Sequence, residues 1–152
     1  VFEPNLSYPS LAQFLSEHQL DRNAVSPRVL SESIQAIRES KLPSLDEIPN
    51  VGSIFKNPIV KTETIPVDFL ADHRWLMPDG QTKLSAARLI ELVLESIDIP
   101  PTLGFYEKHS LVLINNGGAV FSQITKLLTE IQRQVHLLHG IQLRVEPEII
   151  GS

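Results

Sequence analysis

The chain has 152 residues, 42% of them hydrophobic and 20% charged, which suits one globular domain with a buried core. Eighteen acidic residues against 13 basic ones give a net charge of -5; this argues against a nucleic-acid partner, whose phosphates demand a basic surface, and leaves any anionic ligand to a few local Lys or Arg. The absence of cysteine excludes disulfides and thiolate metal sites and fits a cytosolic setting, and no run approaches the roughly 20 apolar residues that cross a bilayer, so no membrane partner is expected.

The first nine residues, VFEPNLSYP, read as extended, because Pro4 and Pro9 forbid regular helix there. No signal-peptide pattern opens the chain. It begins at Val1, and its one methionine is Met77, so it is expected to be the later part of a longer chain. Leu11, Phe14 and Leu15 then recur at helical spacing behind Ser10, the expected N-cap. A second helix should start at Ser26-Pro27, turn Val29, Leu30, Ile34 and Ile37 inward, and stop near Lys41 because Pro43 follows. Residues 43–50 form a loop, and SIFKNPIV reads as a short strand interrupted by Pro58.

Residues 61–82 are the least regular part, with the turn signal Asp79-Gly80. A helix is expected from about Ser85 to Ile97, burying Leu89, Ile90, Val93, Leu94 and Ile97 and ending at Pro100-Pro101. Ser110 to Asn115, SLVLIN, is a buried strand. Asn116-Gly117-Gly118 turns the chain into the longest helix, from about Val120 to His139. Its inward stripe is Ile124, Leu127, Leu128, Ile131, Val135 and Leu138, and Gly140 caps it. A last strand, IQLRV, points Ile141, Leu143 and Val145 inward. Helices and strands alternate without a regular βαβ rhythm, which predicts an α+β fold with a small mixed sheet packed with several helices.

Candidate chemistry is sparse. His18, His73, His109, His136 and His139 form no ligand pair at a specific spacing with carboxylates, so no metal is expected. Asn116-Gly117-Gly118-Ala119 precedes a helix and fits either an anion site or, more simply, a strand-to-helix turn. What remains is Lys41, Ser53, Lys56, Asn57, His109 and Glu148, polar residues near predicted element ends. Each has a plain structural use: Lys41 as a cation at a helix C-terminus, Ser53 bonded to a backbone group, Asn57 as a turn former before Pro58. Spacing alone does not bring them together.

The blocks KLPSLDEIPNVGSIFKNPIV, KLSAARLIE, SLVLINNGGA and LRVEPEIIG resemble, in order, the C-terminal half of the UDP-N-acetylenolpyruvoylglucosamine reductase (UDP-N-acetylmuramate dehydrogenase) family, with the likeness running from Tyr8 to the C-terminus. The resemblance implies a bacterial, cytoplasmic flavoenzyme of peptidoglycan synthesis, and so of cell wall biogenesis, cell shape and division. Such an enzyme uses FAD and NADPH to reduce UDP-N-acetylglucosamine enolpyruvate to UDP-N-acetylmuramate. Hydride addition places negative charge on the substrate carboxylate, and an acid must protonate the adjacent carbon. By the resemblance, Ser53 matches that proton donor and Glu148 the glutamate beside the carboxylate. Two ionised carboxylates in contact repel, so Glu148 is expected to be protonated or paired with a cation.

For substrate binding, the resemblance places Lys41 on the diphosphate, Asn57 on the nucleotide and Tyr8 on a loop that closes over the substrate. His109 stands where a glutamine is found in the family; a histidine keeps the hydrogen bond but makes it pH-dependent. Within GSIFKNP, Gly52 is expected to allow close backbone approach and Ile54 and Phe55 to anchor the strand, while Lys56 has no assigned role. Ala87-Arg88 departs from the family's Gly-Trp, and residues 61–81 carry no transferable motif. The resemblance also implies two parts, residues 1–42 leading from a flavin-binding half and residues 43–152 as the substrate-binding domain. The partners would be the enolpyruvyl nucleotide-sugar and that N-terminal FAD-binding domain, and no cofactor is expected on these residues themselves. Two other readings stand beside it: a flavin-free nucleotide-sugar binding module, and a purely structural α+β domain.

Overall fold

A computed structural model describes residues 2–44 and 47–150. Two compact units emerge, Val1–Ser44 and Leu45–Ser152. In the first, helix α1 spans Pro9–Glu17 and α2 spans Pro27–Lys41. Helix α1 starts two residues before the position that hydroxyl capping predicts. Tyr8 takes the N-cap and Pro9 the first turn, where its fixed φ is already helical. The displaced Ser10 hydroxyl is buried without a hydrogen-bond partner among the described residues. Helix α2 begins as expected, with the Val29 amide donating to Ser26 Oγ at 3.3 Å and Pro27 at the first position. Leu11, Leu15 and Val25 are buried against Leu6, Val29, Leu30 and Ile37. Ile34, expected inward, is exposed.

The second unit is α+β, as the sequence predicts. Helices α3 (Ala86–Glu91) and α4 (Phe121–His139) accompany strands β1 (Asn50–Ser53), β2 (Phe55–Lys56), β3 (Ile59–Lys61), β4 (Arg74–Leu76), β5 (Gln81–Leu84), β6 (Leu103–Tyr106), β7 (His109–Asn115) and β8 (Arg144–Val145). Every pairing among the described residues is antiparallel: β1-β7-β6, β2-β8 and β3-β5-β4. The mixed sheet expected from sequence is therefore three small antiparallel ones. Tight reversals dominate, as between β6 and β7 and between β4 and β5, and parallel pairing needs a crossover of a dozen residues or more.

Of the loop expected over 43–50, Leu45 and Asp46 lie outside the described residues, and Asn50 already belongs to β1. The segment 61–82 is less irregular than it reads, since it holds β4 and the first half of β5. The Met77 amide donates to the Gln81 carbonyl at 2.8 Å across Asp79-Gly80, and Gly80 sits at φ 81°. These strands escape sequence detection because they are short and the apolar residues of β4 point outward: Trp75 and Leu76 are exposed, while β5 buries a polar Thr82 beside Leu84.

Helix α3 is shorter than predicted; Leu94–Ser96 tightens into a 3-10 turn that still buries Val93 and Ile97. Helix α4 ends, as predicted, at Gly140 in the left-handed region with φ 67°. It buries Leu127, Leu128, Ile131 and Val135, whereas Leu138, expected inward, is exposed. In IQLRV only the last two residues pair as strand, because Gln132 Nε2 from α4 donates to the Leu143 carbonyl at 2.9 Å in place of a strand neighbour. Ile141 and Leu143 are nevertheless buried. Together with Ile54, Phe55, Leu84, Leu89, Ile90 and Leu113 they form one continuous core.

Candidate functional site

The site grows from a single buried residue, Ile54, which joins β1 to β2 and has no exposed surface. Its amide donates to the Leu111 carbonyl of β7 at 3.0 Å. Its own carbonyl accepts from the Glu146 amide, just past β8, also at 3.0 Å. One residue thus links two sheets and gathers β7 and the segment after β8 on either side of the GSIFKNP strand.

Three predicted site residues hang on that junction. Ser53 immediately precedes Ile54, is opposite Val112, and is half-buried. Glu148 follows Glu146 by two residues and is exposed. His109 lies two residues before Leu111 on β7, about 7 Å along the strand. The Leu111 amide donates to His109 Nδ1 at 3.3 Å. That acceptor role leaves the proton of the neutral ring on Nε2, which remains a donor.

Gly52 shows why Ser53 points where it does. The β1–β7 register shifts between Asn50 and Ser53, and Gly52 occupies this bulge at φ 68°. Its amide donates to Asn50 Oδ1 at 3.0 Å, and Asn50 Nδ2 donates to the Ile48 carbonyl at 2.9 Å. A Cβ on Gly52 would meet nothing within 4 Å. The expected close approach is therefore absent, and glycine is required here for its backbone conformation. Bulges of this kind re-aim the following side chain.

Asn57 has a structural duty. Its Oδ1 accepts from the Ala86 amide at 2.9 Å, which fixes the start of α3. Ser85 caps the same helix by accepting from the Arg88 amide at 3.2 Å. Only the Asn57 Nδ2 donors are left for a ligand. Lys56 is opposite Arg144 across the β2–β8 pair. Tyr8 and Lys41 belong to the first unit, Tyr8 as the exposed N-cap of α1 and Lys41 as the exposed last residue of α2. Backbone bonds of Ile54 thus tie the segment carrying Ser53 to the strand carrying His109 and to the segment carrying Glu148, while Asn57 follows β2 and Tyr8 and Lys41 belong to the other unit.

A neighbouring network was not visible in the sequence. A cavity of about 380 Å³ is lined by Ala87, Glu91, Phe105, Tyr106, His109 and Ser110 among others. Ser110 Oγ donates to Glu91 Oε1 at 2.7 Å, and Arg88 donates to Glu91 Oε2 at 2.9 Å. Burial pushes the Glu91 carboxyl up, but the hydrogen bonds from Ser110 and Arg88 and the charges of Arg88 and His73 outweigh it, so Glu91 stays below its ordinary value. The signal would have been a hydroxyl at the start of a buried strand facing an acid on the helix across from it, a pairing sequence cannot register without topology. Elsewhere, His139 stacks obliquely on Phe69 with ring centroids 5.2 Å apart, and its buried Nε2 has no partner among the described residues. Burial pushes its imidazole below the ordinary value.

Among the described residues no group of three His, Asp or Glu side chains converges on a metal position. In the Asn116-Gly117-Gly118 turn, the Gly117 and Ala119 amides donate to Asn115 Oδ1 at 2.9 and 3.3 Å, and the Asn116 amide donates to the Thr102 carbonyl at 2.9 Å. Asn115 thus caps the reversal with its side chain, as a strand-to-helix turn does. No described helix is long and apolar enough to cross a membrane.

The family described as "UDP-N-acetylenolpyruvoylglucosamine reductase, C-terminal domain" matches residues 43–150. Proteins named UDP-N-acetylenolpyruvoylglucosamine reductase are similar along nearly the whole chain. The one from Dechloromonas aromatica is 34% identical over 97% of the chain, that from Ralstonia nicotianae 35% over 98%, and that from Neisseria gonorrhoeae 36% over 96%. The chain spans only 43–44% of the length of these three relatives.

Proposed function

The chain belongs to the family of the UDP-N-acetylenolpyruvoylglucosamine reductase C-terminal domain, and from that premise we propose that it is the substrate-binding part of such a reductase, acting in bacterial peptidoglycan synthesis on UDP-N-acetylglucosamine enolpyruvate. The observation that supports this reading is the pair of Ile54 backbone bonds, one to β7, which also carries His109, and one to Glu146, two residues before Glu148. Reduction of an enolpyruvyl ether needs a proton donor near one carbon and groups that tolerate a carboxylate gaining charge. Ser53 Oγ is the donor in this reading, aimed by the Gly52 bulge. Glu148 sits beside the substrate carboxylate, and His109 Nε2–H donates to the bound substrate.

The remaining roles are remote binding, which aligns the reacting carbon without touching it. Lys41 supplies a point charge to the diphosphate, Tyr8 covers the substrate, and Asn57 Nδ2 reaches the nucleotide while Oδ1 keeps its bond to Ala86. The glycine turn that could cradle a dinucleotide has its Asn116, Gly117 and Ala119 amides bonded within the chain, and it carries no dinucleotide glycine fingerprint. FAD and NADPH belong, in this reading, to the rest of a longer protein, and residues 43–152 form the substrate-binding domain. The chain by itself then neither turns yellow nor oxidises NADPH. NADPH and a nucleotide-sugar substrate place the protein in the bacterial cytoplasm.

The test is a Lys41→Ala substitution in the full-length protein. Losing a charge-assisted contact to the diphosphate weakens apparent substrate affinity about tenfold or more with little change in turnover. Unchanged affinity would remove Lys41 from the site.

A further inference from the structure

Beside Ser53, strand β7 loses one of its two neighbours. Leu103, Gly104 and Phe105 of β6 face Asn115, Ile114 and Leu113 in regular register, but the next residue, Tyr106, faces His109. Ser110, Leu111 and Val112 therefore form a bulge that β6 does not pair. The segment carrying Ser53 depends on these same residues. Val112 is opposite Ser53, and the Leu111 carbonyl accepts from the Ile54 amide at 3.0 Å. His109 marks the other end of the bulge.

A stretch without its β6 partner needs another hold, and helix α3 supplies one. Ser110 Oγ donates to Glu91 Oε1 at 2.7 Å, a short bond to a charged acceptor. Its other acceptor among the described residues is the Ala87 carbonyl at 3.5 Å, too distant to hold the side chain alone. Arg88, one turn earlier on α3, donates to Glu91 Oε2 at 2.9 Å and so orients the carboxylate toward Ser110. The opposite end of α3 is tied to the GSIFKNP segment, where Asn57 Oδ1 accepts from the Ala86 amide at 2.9 Å. Ala86 to Glu91 is a rise of about 7.5 Å along the helix. Helix α3 is thus a short brace, bonded at one end to the segment that carries Ser53 and at the other to the bulge that faces it.

Given the substrate-binding reading above, on which this role rests, we propose that Glu91 is a positioning residue: through Ser110 it fixes the bulge of β7, and with it the placement of Ser53 and His109. Glu91 itself touches neither substrate nor reacting carbon. Its ion pair with Arg88 is solvent-exposed and adds little to stability, so the consequence of losing it falls on alignment. A displacement of about 1 Å at a reacting group can cost about 10²-fold in rate. Over Ser110–Val112 no register partner on β6 limits such a displacement.

The experiment is steady-state kinetics of the full-length protein with UDP-N-acetylglucosamine enolpyruvate and NADPH, with Ser53→Ala as the reference variant. In Glu91→Ala and in Ser110→Ala kcat should fall about tenfold or more. The double variant should fall no further than either alone, because the two side chains act as a unit. Glu91→Gln recovers most of the turnover, since its side-chain oxygen still accepts from Ser110. Amide hydrogen exchange in Glu91→Ala quickens over residues 52–55 and 109–113 and not in α4. Glu130→Ala removes a comparable surface pair with Arg133 and leaves turnover unchanged. If Ser53→Ala is severely impaired while Glu91→Ala turns over within a few-fold of the parent, the positioning role is overturned and the reading stands. A Glu91→Gln as slow as Glu91→Ala, or an equal loss in Glu130→Ala, also overturns the role. Near-parental turnover in Ser53→Ala overturns the reading itself, and the role with it.

Discussion

Replacing Gly52 by alanine separates conformational from steric demand at the bulge that carries Ser53. The added Cβ meets no atom within 4 Å, so no packing cost arises. The cost lies in the backbone: at φ 68° an L-residue loses roughly 1–2 kcal/mol relative to its preferred regions. Alanine also restricts the unfolded chain, which returns about 0.4–1 kcal/mol. The net expectation is a destabilisation of about 1 kcal/mol. Asparagine, which tolerates the left-handed region far better, should cost clearly less despite being larger. Gly104→Ala is the steric counterpart, since its Cβ would lie 3.1 Å from Asn116 Nδ2, an atom pinned by bonds to the Pro101 and Leu103 carbonyls. Urea unfolding at constant slope reads all three. If Gly52→Asn proves as damaging as Gly52→Ala, or worse, space rather than conformation governs the bulge and the account of Ser53's orientation fails.

Asn57→Ala removes the acceptor of the Ala86 amide at the start of α3 and should cost about 1 kcal/mol in the same assay, whether or not ligand is present; a neutral result would mean that Ser85 caps the helix alone. His139 titrates with a sign that can be checked. Its folded imidazole lies below the ordinary value of about 6.5, so the unfolded chain holds more protons between the two values. Stability therefore rises with pH through that window and is flat above it. His139→Phe keeps a ring against Phe69 and should abolish the rise; its persistence would assign the dependence to another group.

The parts that local chemistry dictates were legible in the residues. Ser26-Pro27 opens α2 and Gly140 closes α4 because capping acts within one turn, and Ile54 and Phe55 are buried as the strand reading expects. Ser10 does not cap α1, because a hydroxyl cap and a first-turn proline compete there and Pro9 prevails. The misses in the second unit come from partners remote in sequence. Gln132 replaces a strand at Leu143, β4 and β5 are strands only because they pair, and Leu138 turns outward past the last buried turn of α4. For the site, GSIFKNP and EPEIIG are each distinctive, but their meeting depends on the Glu146 amide bonding the Ile54 carbonyl and on the β2–β8 pair, which no spacing displays. Ser110 and Glu91 are not, because a serine opening an apolar strand is common.

The reading that Ser53 delivers the proton at this junction is tested most directly by the turnover of Ser53→Ala in the full-length protein, assayed with UDP-N-acetylglucosamine enolpyruvate and NADPH. Loss of a positioned acid predicts a fall of about 10²–10⁴-fold in kcat with KM little changed. Turnover within a few-fold of the parent would contradict it.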